Sequence, residues 1–119
     1  MSDAAPLFRL VDDDGGEVVV YPDGVLFLSA GDHPGAGVKL QRRSIVSVMD
    51  HAFRQEWQPD ILVVVYRDPD DNGRLTHFRW SLVRKGVSRE VSNAIYRIVD
   101  GGFRKSFTGF FYSLSHRIL

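Results

Sequence analysis

Cysteine is absent from the 119 residues, which excludes disulfides, thiolate zinc sites and a cysteine nucleophile and leaves no redox signature of compartment. No stretch approaches the roughly 18–20 apolar residues that a membrane-spanning helix needs. The opening Met1-Ser2-Asp3-Ala4-Ala5 lacks the basic region and apolar run of a secretory leader, so a cytoplasmic chain is the expectation. Internal repeats and low-complexity tracts are also missing. Net charge is lacking too: 15 Lys and Arg cancel 15 Asp and Glu, which argues against a nucleic-acid partner because such domains are strongly basic.

What is present is ordinary globular composition, 44% hydrophobic and 25% charged, at a length that suits one domain with one core. The charges are unevenly spread. Residues 1–71 hold 6 basic and 13 acidic side chains, whereas 72–119 hold 9 and 2, so the halves carry −7 and +7. Folding either preserves that difference as a dipole or interleaves it, and interleaving is the expectation.

Extended segments dominate the pattern. Leu7-Phe8-Arg9-Leu10-Val11 reads as a strand ending at the turn-forming Asp12-Asp13-Asp14-Gly15-Gly16. Glu17-Val18-Val19-Val20-Tyr21, the turn Pro22-Asp23-Gly24 and Val25-Leu26-Phe27-Leu28-Ser29 predict a hairpin. The Gly- and Pro-rich stretch 31–37 is a loop. Val38 to Met49 suggests one or two strands interrupted near Gln41-Arg42-Arg43-Ser44 by a bend or bulge. The continuous run Ile61-Leu62-Val63-Val64-Val65-Tyr66 suits a central strand buried on both faces. Beyond a turn at 68–73, Thr76, Phe78, Trp80 and Leu82 alternate with His77, Arg79 and Ser81, which places the two sets on opposite faces of a strand. A helix is predicted over 88–100, with Ser88 as N-cap, Glu90 in the first turn, and Val91, Ala94, Ile95, Ile98 and Val99 on one face; Gly101-Gly102 supplies its stop. The predicted fold is mainly β with one helix (α+β). It is a small antiparallel two-sheet sandwich or partly open barrel of six to seven strands, occupying 7–100 after a tail at 1–6.

Motifs for chemistry are sparse. Asp68-Pro69-Asp70-Asp71-Asn72-Gly73 matches the opening of a calcium loop, but its twelfth position is Arg79 where a bidentate Glu belongs, so an Asn-Gly hairpin turn is the better reading. Asp12-Asp13-Asp14 reads as a solvated turn rather than a cation site. His33, His51, His77 and His116 include no close pair of metal-site spacing. Nucleophile elbows, phosphate loops and dinucleotide fingerprints are lacking, so neither catalytic residues nor a cofactor or metal is expected. Two basic groups, Lys39, Arg42, Arg43 and Arg74, Arg79, Arg84, Lys85, could meet phosphates, yet Phe78 and Trp80 should point away from Arg79 and leave it no stacking partner.

The final segment carries the sharpest functional signal. Phe103, Phe107, Phe110, Phe111, Leu114 and Ile118 are spaced 4, 3, 1, 3 and 4 apart, which aligns them on one face of an amphipathic helix over 101–119. Gly109 costs that helix about 1 kcal/mol. Its opposite face is free of acid and includes Arg104, Lys105 and Arg117. Such a segment can cover its own sheet, contact a protein partner or a second copy, or lie on an anionic membrane surface.

Tyr21-Pro22-Asp23-Gly24-Val25-Leu26-Phe27, Val38-Lys39-Leu40 through Ile45-Val46-Ser47-Val48, and Phe78-Arg79-Trp80 ahead of the helix together give an order that resembles the pleckstrin-homology (PH) superfold, including its bacterial and GRAM-like relatives, over about residues 7–100. The resemblance implies two nearly orthogonal sheets with a helix plugging one open end, here through Val91, Ile95 and Ile98. Lipid-binding members carry a basic cluster on the first hairpin. Asp12, Asp13, Asp14 and Glu17 stand there instead, with only Arg9 nearby, which points away from phosphoinositide recognition.

The expected function is a noncatalytic module that associates with itself, as a homo-oligomer, or with a protein partner through the aromatic segment. Peripheral membrane attachment through the same segment is the alternative. A ligand pocket or enzyme site on the 30–37 loop, with His33 or His51, is the third.

Overall fold

The β-branched and aromatic runs form seven strands in a computed structural model that describes residues 4–33 and 35–99. In chain order they are β1 (Phe8–Val11), β2 (Glu17–Tyr21), β3 (Gly24–Leu28), β4 (Val38–Gln41), β5 (Ile45–His51), β6 (Asp60–Asp68) and β7 (Arg74–Leu82), followed by helix α1 (Ser88–Tyr96). Two antiparallel sheets result, one ordered β1-β2-β3-β4 and the other β5-β6-β7. The mainly β, two-sheet fold with one helix is as the pattern predicts. The proposed helical segment at 101–119 lies outside the described residues.

Turn chemistry sets the registers. Pro22 and Asp23 link β2 to β3, pairing Tyr21 with Gly24. Gly24 is required there, because a Cβ would come within 2.6 Å of the Leu40 carbonyl oxygen on β4. The interruption at 42–44 is a short 3-10 turn, and it is where the chain crosses from the first sheet to the second. A bulge follows between Ile45 and Ser47. The 68–73 segment is a hairpin turn joining β6 to β7: the Asp68 carboxylate accepts the Asp70 N–H at 2.9 Å, and Asn72 adopts a left-handed conformation, φ 53°. The segment is thus a hairpin turn, with Arg79 at the twelfth position where a calcium loop has its bidentate Glu.

One core draws on every element. Leu10, Val18, Val20, Val25, Phe27 and Leu40 face Ile45, Val48, Leu62, Val64 and Leu82, and α1 closes the set with Val91, Ala94 and Ile95, then Ile98 and Val99 just beyond it. Phe27 packs on Phe78 and Trp80 with ring centroids 4.8 and 5.4 Å apart, so those aromatics point inward, opposite to His77, Arg79 and Ser81. Burying aromatic and branched side chains stabilises such a core by roughly 1.5–3 kcal/mol each.

The ends of α1 differ from the sequence reading. Val87 takes the N-cap place in a helical conformation and supplies no side-chain cap, and Ser88 is the first residue of the helix; Ser88 is buried. The helix ends at Tyr96 because the chain tightens into i→i+3 bonds, Ile98 N–H to Ile95 O at 3.1 Å and Val99 N–H to Tyr96 O at 3.3 Å. This occurs before Gly101 is reached.

Candidate functional site

The polar chemistry concentrates where three connections meet: the β1–β2 turn (12–16), the β5–β6 loop (52–59) and the β7–α1 linker (83–87). Asp12, the first of the acidic triplet, is buried. Its carboxylate accepts the backbone N–H groups of Val83 at 2.7 Å and Arg84 at 2.8 Å, along with that of Asp13 at 2.8 Å. Arg84 returns the contact by donating to the Val11 carbonyl at 2.8 Å and to Asp13 at 3.4 Å. The triplet is therefore a clamp between the two sheets. Asp14 caps its own turn by accepting the Gly16 N–H at 2.9 Å.

A second knot lies beside it. The Asp60 side chain is 0% exposed and accepts from Lys85 Nζ, from the Gly86 N–H at 3.0 Å and from the Phe53 N–H at 3.2 Å. Lys85 Nζ also donates to the Phe53 carbonyl at 2.9 Å and the Gln58 carbonyl at 2.8 Å. Burial pushes the Asp60 pKa up, but the Lys85 hydrogen bond, the two backbone N–H groups and the Lys85 charge together outweigh it and hold the carboxyl below its ordinary range. Its donors are fully engaged within the protein, so this ion pair braces the 52–59 loop rather than offering a free acid or base. Three of the ion pairs, Arg74–Asp71, Arg84–Asp13 and Lys85–Asp60, join residues of the acidic and basic halves of the chain.

The braced loop presents Trp57, which is 81% exposed. It sits in a turn closed by the Gln58 N–H to the Gln55 carbonyl at 3.1 Å. Val11 and Val83, also exposed, stand on the neighbouring segments. Sequence reasoning missed this site. The available signals were a lone Trp in the polar stretch 54–58 and an Asp directly ahead of an apolar run.

Other predicted residues are scattered. His51 makes an edge contact with Phe53, centroids 4.4 Å apart. His33 lies in the 29–37 loop, where its carbonyl accepts the Ala36 N–H at 2.9 Å. Neither lines any of three open clefts on the surface. Of these, one of 390 Å³ is bounded by Asp23, Lys39, Gln41, Arg42 and Arg43. Another, of 430 Å³, runs between β4 and the 68–70 turn. The third, of 580 Å³, lies between β5 and α1 and includes Met49, Asp50, Arg89 and Tyr96. Lys39, Arg42 and Arg43 thus share a rim. Arg84 and Lys85 are engaged in the two knots, so the second basic group is not a common surface. Among the described residues, no group of three or more His, Asp or Glu is placed to hold a metal ion, and no helix is long and apolar enough to cross a membrane.

The proposed contact residues Phe103, Phe107, Phe110, Phe111, Leu114 and Ile118, with Arg104, Lys105 and Arg117, lie outside the described residues. No family model, curated protein or solved structure matches the chain.

Proposed function

We propose that this protein is a noncatalytic, PH-like interaction module that associates with a second copy of itself, or with a protein partner, through the aromatic segment 103–118. The observation that carries the reading is the sequence spacing of six large apolar side chains, 4, 3, 1, 3 and 4 residues apart from Phe103 to Ile118. Among the described residues, both sheets and α1 contribute to one buried cluster. The sheets of four and three strands followed by a helix support the PH-like frame. The saturated carboxylates of Asp12 and Asp60 support a structural role for the polar residues.

Sedimentation of the full chain against a Phe107→Ser, Phe110→Ser, Phe111→Ser variant tests the reading. The unsubstituted chain should sediment as an oligomer and the variant as a monomer that still unfolds cooperatively. A monomeric unsubstituted chain refutes self-association, and an oligomer indifferent to the three substitutions refutes the aromatic contact.

A further inference from the structure

Strand β4 is the last strand of its sheet, and among the described residues it is hydrogen-bonded to β3 alone. Val38, Lys39 and Gln41 are exposed, and only Leu40 turns into the core. The edge of such a strand presents N–H and C=O groups that can template a further strand. Two clefts border it. The one of 430 Å³ follows the whole of β4, with Ser44, Tyr66 and the 68–70 turn on its other side. The one of 390 Å³ is lined by Lys39, Gln41, Arg42, Arg43 and Asp23, so Lys39 and Gln41 belong to both.

Charge sets this edge apart from its surroundings. Residues 1–71 carry 13 acidic and 6 basic side chains, and Lys39, Arg42 and Arg43 of those six line one cleft. Elsewhere cations turn to the chain's own carboxylates, as in Arg9–Glu17, Arg84–Asp13 and Lys85–Asp60. Arg42 has an interaction of its own. Lys39 and Arg43 make no ion pair or side-chain hydrogen bond among the described residues, although Asp23 shares their cleft.

We propose that the open edge of β4 binds an acidic, extended peptide segment of a partner protein, which adds to the sheet beside β4 and sets its carboxylates against Lys39 and Arg43. This surface is separate from the aromatic segment 103–118. Main-chain pairing along the edge supplies affinity, and alternate side chains supply selectivity. An extended peptide presents every second side chain to one face, about 6.6–7 Å apart, which is also the spacing of Lys39 and Gln41 along β4. A compact anion is the poorer match: all five side chains of the 390 Å³ cleft are exposed, so none encloses it, whereas an extended chain meets the cations one after another. Asp68 and Asp70 across the neighbouring cleft repel carboxylates, which assigns the acidic positions of the peptide to the Lys39 and Arg43 side. Val38, 41% exposed, offers an apolar contact between them.

The test titrates the full chain, at low salt, with a capped hexapeptide of alternating valine and glutamate. Binding should be saturable and should slow amide hydrogen exchange in β4. A Lys39→Gln, Arg43→Gln variant, whose two changes are at exposed positions, should melt as the unsubstituted chain does and bind about fivefold more weakly or worse. A hexapeptide of alternating valine and lysine should not bind. Equal binding of the two peptides, binding indifferent to the two substitutions, or exchange protection confined to other strands overturns the proposal. So does saturable binding of inorganic phosphate in place of the peptide, which would make the cleft a compact-anion site. Sedimentation keeps the two surfaces distinguishable: the oligomeric state of K39Q/R43Q should match that of the unsubstituted chain, and a change there would place self-association on β4 and overturn the assignment to a partner peptide.

Discussion

Replacing Lys85 by Met strikes the knot that braces the 52–59 loop, and its cost follows from the geometry. Lys85 Nζ serves the Asp60 carboxylate and the carbonyls of Phe53 and Gln58. Methionine keeps the aliphatic stem but leaves a carboxylate with a fully buried side chain holding only the N–H groups of Gly86 and Phe53. Breaking one side of a fully buried ion pair costs about 3–5 kcal/mol. The Lys85 side chain is 31% exposed, so water can reach part of the vacated space, and about 2–3 kcal/mol is the reasoned loss. In a chain of this size that lowers the melting temperature by roughly 10 °C at neutral pH. The acid limb gives a second reading. Because the folded Asp60 pKa is lowered, its contribution is present at neutral pH and is lost as the pH falls through that lowered value. Asp60→Asn removes this titrating contribution, so its stability should change less between neutral and acid pH than that of the unsubstituted chain. Urea denaturation of the three proteins at several pH values measures both effects. A K85M loss below about 0.5 kcal/mol, or an unchanged acid slope in D60N, would refute the assignment of the pair as a structural brace.

Asp12→Ala should cost about 2–4 kcal/mol in urea denaturation, because three N–H groups lose a buried carboxylate, whereas Asp13→Ala, which removes the exposed pair with Arg84, should stay within about 0.5 kcal/mol. Gly24→Ala should destabilise by about 1–3 kcal/mol, since the new methyl meets the backbone of β4 rather than a side chain that can move; equal stability of G24A and the unsubstituted chain would contradict the register. Trp57→Phe should leave stability within about 0.5 kcal/mol and remove the red-shifted, iodide-quenchable part of the fluorescence, leaving Trp80, which packs on Phe27. Persistence of that component would place Trp57 elsewhere.

The alternation at 76–82 was legible because a strand imposes a period of two, and Phe78 and Trp80 do face Phe27 while Arg79 faces out. The central position of β6 was legible from its unbroken apolar run, and the hairpin at 21–24 from its turn residues. Ser88 was misread as a cap because helix propensity at a boundary depends on the preceding residue, and Val87 is held in helical conformation by the fold. The clamp formed by Asp12 was hidden behind the solvated-turn reading of the triplet. Its partners, Val83 and Arg84, lie 71 and 72 residues away, and backbone N–H groups carry no sequence signature.

Composition and local pattern alone determine the class of this protein, its hairpins, the position of helix α1 and the amphipathic spacing of its final segment, because these depend on neighbours within a few residues. Only the tertiary structure decides which carboxylates are buried, which lysine braces a loop and which side chains of β6 meet Phe27 and helix α1 in one cluster. Those depend on what distant segments bring within a few ångströms, and electrostatic and packing energies are set at that distance.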